Sequence, residues 1–216
     1  APAAAVRHTG EQHGVHAATR NRNANSHRRI VYDSEVRPHL AALDQMRTGK
    51  CWAFAGMNML RRNICRRLKL DENKNFALSI SFLMYHDKLE RAFTFLKNIK
   101  KLKEEGSSCT GTRVLDMLLK KPIEDGGTWH TFVNLVCKYG IVPYDIMPNS
   151  CVTEDTENLN HLISMVLRKK AHEILHQNSS GVDDAINEVK KLLCLTYGSP
   201  PDRFEWKYVD RRLRTR

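Results

Sequence analysis

No run of eighteen apolar residues occurs in this chain, so the sequence offers no helical membrane span. Phosphate-binding fingerprints are missing as well. There is no G-x-G-x-x-G, and Gly106-Ser107-Ser108-Cys109-Thr110-Gly111-Thr112 has phosphate-loop spacing but lacks the lysine and a buried strand before it, so ATP binding is not expected. H-E-x-x-H and EF-hand patterns are absent, and neither a metal nor an organic cofactor is expected. The six cysteines, at 51, 65, 109, 137, 151 and 194, form no C-x-x-C pair and lack the crowding of a small secreted scaffold, which reads as reduced thiols. Ala1 to Val6 is too short and too weakly hydrophobic for a signal-peptide core, and a cytoplasmic location is the expectation. In that setting the acceptor pattern Asn178-Ser179-Ser180 is not expected to carry a glycan.

Acidic residues are also outnumbered: 35 Lys and Arg against 24 Asp and Glu leave a formal charge of +11. Such a balance suits a polyanion, and nonspecific nucleic-acid binding needs little more than clustered basic side chains. Most of these residues, however, recur opposite apolar ones at helical spacing, as from Arg61 to Lys69 and from Lys97 to Lys103, which is the pattern of a solvated helix face. No helix-turn-helix, zinc finger or aromatic-basic repeat is visible.

With 216 residues and 41% hydrophobic content the chain has material for a core. Residues 1–40 carry little apolar periodicity and read as a disordered or atypical segment, whose five histidines at 8, 13, 16, 27 and 39 match no metal-site spacing. From Cys51 the pattern turns helical. Phe54, Met57, Leu60, Ile64 and Leu68 recur at spacings of three and four, with Arg61, Arg62, Arg66, Arg67 and Lys69 on the other side. Phe82, Tyr85, Leu89, Phe93, Leu96 and Ile99 mark a long second helix capped by Ser79 or Ser81 and ended by Gly106-Ser107-Ser108. Further helices are expected near 112–120, near 128–139 with Trp129, Phe132, Val133 and Val136 inward, near 154–177 and near 182–196. After Pro200-Pro201, Phe204, Trp206 and Tyr208 alternate with charged residues as in a half-buried strand.

The segment that carries chemistry is Gln45 to Ala55. Gly49 offers a tight turn, and Cys51-Trp52 follows where the first amphipathic helix begins. A thiol becomes a good nucleophile when its thiolate is stabilised, and the unpaired N–H groups of a helix start do that. Gln45 brings a side-chain N–H donor six positions before the cysteine.

Gln45, the short Gly-containing loop and Cys51-Trp52 resemble the opening of the central helix in papain-like cysteine peptidases. Thr48 and Lys50 depart from the papain and cathepsin signature. Thr48-Gly49-Lys50-Cys51-Trp52 instead looks like the bleomycin hydrolase (aminopeptidase C) branch. Ser81 to Arg91, Asp125-Gly126-Gly127-Thr128-Trp129, Val133 to Pro143 and Gly198 to Trp206 match the same branch in the same order.

The resemblance implies an α+β papain-like fold: residues 41–199 as the helical left half with the family's helical insertions, and 200–216 as the start of the β-rich right half. It implies Cys51 as nucleophile, Gln45 with the Cys51 N–H as oxyanion donors, and Gly126 and Gly127 as the main-chain edge along which a peptide substrate lies. One oxyanion donor is typically worth about 3 kcal/mol. It further implies aminopeptidase activity and, at full length, a homo-oligomer of hexameric form. The family's catalytic histidine and asparagine fall in motifs that His86, His130, His161, His172 and His176 do not occupy, and both are expected beyond Arg216. The polypeptide as given is therefore expected to be inactive and to fold poorly. The rival reading is a nonenzymatic basic protein that uses the same helical scaffold to bind nucleic acid or a partner.

Overall fold

The computed structural model describes residues 34, 37, 39–70, 76–105, 113–151, 154–176, 182–210, 212, 214 and 215. The chain divides into one unit of residues 1–37 and a second of residues 38–216. The expectations made for most of residues 1–40, for the 106–112 loop and for Asn178 fall outside the described residues.

Six helices are described: α1 (Cys51–Leu68), α2 (Ile80–Glu104), α3 (Arg113–Lys120), α4 (Trp129–Tyr139), α5 (Glu157–His176) and α6 (Val182–Tyr197). Their order follows the apolar periodicity. α2 is the centre, packed against each of the other five, while α5 and α6 also pack together and α4 lies on α1. Its N-terminal turns are buried on every side, from Ile80 to Tyr85, as befits a helix enclosed by neighbours. Ser79 is its N-cap: the hydroxyl accepts from the Phe82 N–H at 3.0 Å and donates to the Met147 carbonyl. Spacings of three and four bring Ile163, Leu167, Ala171 and Ile174 of α5 inward, and likewise Ala185, Val189 and Leu193 of α6. α4 begins at a capping box between Thr128 and Thr131 and ends at Gly140, whose φ of 75° suits glycine. α1 approaches α4 closely because residue 56 is glycine; a Cβ there would stand 2.6 Å from the Phe132 ring.

Three expectations about side-chain direction are corrected. Arg61 belongs to the core, at 1% exposure, where its Nε donates to the Phe76 carbonyl and Nη1 donates to the Ala41 carbonyl at 2.8 Å. Those carbonyls come from segments outside the helix, so helical phase could not announce them. Phe93 and Trp129 are exposed, because the apolar stripes on which they lie extend further than the partners that cover them. The alternating stretch 204–208 forms no strand; pairing among the described residues is limited to isolated bridges, among them Leu70 with Asp210, Val209 with Thr215 and Leu78 with Pro143. Trp206 meets Phe76 at 5.5 Å between ring centroids.

Candidate active site

Cys51 is the first residue of α1 and is exposed. Lys50, the N-cap, makes no side-chain cap hydrogen bond, and no acidic residue stands in the first turn. The Lys50 carbonyl accepts from the N–H groups of Ala53 and Phe54 at 2.9 and 3.0 Å. The N–H groups of Cys51 and Trp52 remain without a hydrogen bond among the described residues, so this helix start offers open donors beside a thiol.

Gln45 sits in a closed turn before the helix. Its Nε2 donates to the Thr48 carbonyl at 2.9 Å, and Thr48 Oγ1 donates back to the Gln45 carbonyl at 2.6 Å. A carboxamide has two N–H donors, which leaves the second for another acceptor. Met46 takes a left-handed conformation, φ 52°, with its N–H donating to Asp44 Oδ1 at 2.8 Å. Arg47 ties the turn to the start of α5 by donating its N–H to the Glu154 carbonyl at 3.2 Å. Gly49 has no left-handed φ. Proximity favours glycine there instead, since a Cβ would lie 3.1 Å from Asp125 Cβ, tighter than an ordinary contact.

Asp125-Gly126-Gly127 runs beside the helix start and is fastened there. Trp52 Nε1 donates to the Asp125 carbonyl at 2.8 Å, and the indole covers Gly127 so closely that a Cβ would stand 2.5 Å from Cε2. A Cβ on Gly126 would meet nothing within 4 Å. Beneath the loop, the Asp125 carboxylate accepts from Lys88 at 2.5 Å, from Asn160 at 3.0 Å and from the Thr156 hydroxyl. Burial alone would raise that carboxyl, but Lys88 and the two hydrogen-bond donors hold it below the usual carboxylate range. Lys50 is fully buried in the same place, with its ammonium 5.9 Å from the Tyr197 ring centroid. Burial pulls its pKa down to about 8, against the attraction of Asp125 and with help from Lys88.

Cys51, Trp52 and the Gly126-Gly127 loop are thus joined through one indole ring. Sequence reasoning missed the ionic support: Lys50, Lys88, Arg91, Asp125, Thr156 and Asn160. One signal was available, because Lys88 shares a helical stripe with Tyr85, Ala92 and Phe95, and a charge on a buried stripe calls for a partner. His86 lies on α2 and stacks on Tyr139 at 3.9 Å; His130 is on α4, and His161, His172 and His176 are on α5. Among the described residues no hydrogen bond joins a histidine to Cys51, and no group of three or more metal-ligating side chains gathers. No described helix is long and apolar enough to cross a membrane.

A bundle around a long capped helix, with Cys51 at an open helix start and a glycine edge held under Trp52, has the layout of the helical half of a papain-like fold. The chain belongs to the Peptidase C1-like family, whose model matches residues 2–214. It is 33% identical over 205 residues to aminopeptidase C of Listeria monocytogenes, covering 91% of this chain and 44% of that protein. Bleomycin hydrolase of Rattus norvegicus is 32% identical over 182 residues, which is 78% of this chain and 38% of the relative. Among solved structures, PepW from Lactobacillus rhamnosis HN001 superposes with a TM-score of 0.84 at 27% identity, covering 99% of this chain and 48% of PepW. The chain therefore spans less than half the length of each of these relatives.

Proposed function

We propose that this chain carries the nucleophile half of a cysteine aminopeptidase, which removes residues from peptide N termini through a thioester on Cys51. The Cys51 sulfur attacks the scissile carbonyl carbon, and the carbonyl electrons move onto oxygen, where the Cys51 N–H and the second Gln45 N–H stabilise the charge. Collapse of that intermediate expels the amine, which takes up a proton, and water then hydrolyses the thioester. The proton shuttle is an imidazole, which the resemblance assigns to no histidine of this chain. Gly126 and Gly127 hold the substrate main chain as an added strand would. Peptide substrates, cytoplasmic action and hexameric assembly belong to the same reading and rest on the resemblance to aminopeptidase C and bleomycin hydrolase.

The observation that carries the proposal is Cys51 at the uncapped start of α1, beside the Trp52-covered glycine edge. Exposure alone does not single it out, since Cys137 and Cys151 are exposed too. Cys137, however, lies in the last turn of α4, at the carbonyl end of a helix. Limiting iodoacetamide near pH 6 followed by peptide mapping is expected to modify Cys51 at least about tenfold faster than Cys137 or Cys151. Modification of either of those ahead of Cys51, or peptidase activity in Cys51→Ser, would overturn the assignment.

A further inference from the structure

The orientation of Gly126 is set from α2. Arg91 Nη2 donates to the Gly126 carbonyl, while its Nε donates to both carboxylate oxygens of Asp87, at 3.0 and 2.9 Å. Asp87 is 2% exposed, so the guanidinium is held between a buried carboxylate one helical turn away and the loop. In a trans peptide the C=O and the following N–H point in opposite directions. Drawing the Gly126 carbonyl toward α2 therefore turns the Gly127 N–H away from α2. Among the described residues neither the N–H nor the carbonyl of Gly127 enters a hydrogen bond, and the space above Gly126 is open.

We infer that Arg91, held by Asp87, is a positioning residue that sets the peptide plane between Gly126 and Gly127 and so aligns the main-chain edge receiving an extended peptide. The inference rests on the peptidase reading of this site. An arginine suits the task because its planar fork serves the carboxylate and the carbonyl at once, whereas a lysine ammonium is a point charge on a flexible stem. A cavity of about 520 Å³ borders Arg91, lined also by Asn98, Leu118, His130 and Asn134. A shorter side chain there leaves space for water, with no clash imposed on its neighbours.

The test compares alkylation of Cys51 by a peptidyl chloromethyl ketone, which must lie along the edge, with alkylation by chloroacetamide, which need not. In the wild-type chain the peptidyl reagent is expected to react faster, relative to chloroacetamide, than the same pair of reagents does with a free thiol such as glutathione. Arg91→Met is expected to lower the ratio of the two rates about tenfold, the loss of one charge-assisted hydrogen bond, with the chloroacetamide rate unchanged. Arg91→Lys is expected to fall between the two, and it decides the matter alone if Arg91→Met does not fold. A wild-type ratio in both variants overturns the inference. So does an equal fall in both rates, which would mean that Arg91 acts on the helix start or on folding and not on the edge. A wild-type chain whose rate ratio equals that of the free thiol removes the peptidase reading itself, and the inference with it.

Discussion

Gly126 and Gly127 adjoin in sequence yet differ in what a methyl group would meet: open space at the first, the Trp52 indole at 2.5 Å at the second. Gly127→Ala is therefore an overpacking change, expected to cost about 1–3 kcal/mol and to lower Tm by several degrees. Gly126→Ala is expected to melt within about 1 °C of wild type while slowing the peptidyl reagent, because the added methyl lies where the substrate would. Thermal melts beside the two-reagent assay check both, and a Gly127→Ala chain as stable as wild type would contradict the close packing of Trp52 on Gly127. The helix start at Cys51 and the turn that precedes it were legible in the sequence because local spacing carries them. The Arg91 contact to Gly126 and the Lys88 contact to Asp125 were not, since each spans more than thirty residues and no periodic pattern records such a pair.

Between α2 and α4 the fold stacks His86 on Tyr139 and against the edges of Phe82 and Tyr85. Its Nδ1 is buried without a hydrogen bond. Burial lowers its pKa from 6.5 to about 4, with Glu90 opposing and Lys138 adding to the fall. Between those pH values the unfolded chain binds a proton that the folded chain does not, so this group contributes stability above about pH 6.5 that is lost as the pH falls toward about 4. Below that the loss is complete. His86→Phe keeps the ring and removes the titration; Asp87, raised by burial, titrates in both proteins and cancels in the difference. Denaturant melts at pH 7 and pH 4 are expected to show the wild type losing about 1–3 kcal/mol more than the variant, allowing for partial solvent screening. Equal losses would mean that His86 protonates freely in the folded state. The helices themselves were legible within a few residues, because each has an apolar stripe, short only in α3, and two have hydroxyl caps, Ser79 and Thr128. Which stripe residues end up covered was less so: Phe93 and Trp129 follow the period and face water, and Arg61 breaks it and is buried.

Over the whole molecule the charge of +11 is the property that sets the rival reading apart, and among the described residues the basic side chains fall into different settings. Lys50, Lys88 and Arg61 are 0%, 0% and 1% exposed and hold carbonyls, a carboxylate or an aromatic ring in place, so they are withdrawn from any polyanion. Others, such as Lys100, Lys101 and Lys138, are exposed and pair with Glu104, Glu105 and Glu90 across or along helices. A net positive charge with no recognition motif attracts a phosphate backbone through counterion release, and that attraction fades with salt. Duplex DNA is accordingly expected to retain the chain at about 50 mM salt and to release it by about 200 mM, a range over which a contact of several phosphates weakens by about 10³ or more. Under the peptidase reading, Cys51 alkylation by chloroacetamide is expected to proceed at the same rate with and without saturating DNA at the lower salt. Retention that survives 200 mM salt with preference for one sequence, together with protection of Cys51, would instead make nucleic-acid recognition the work of this scaffold.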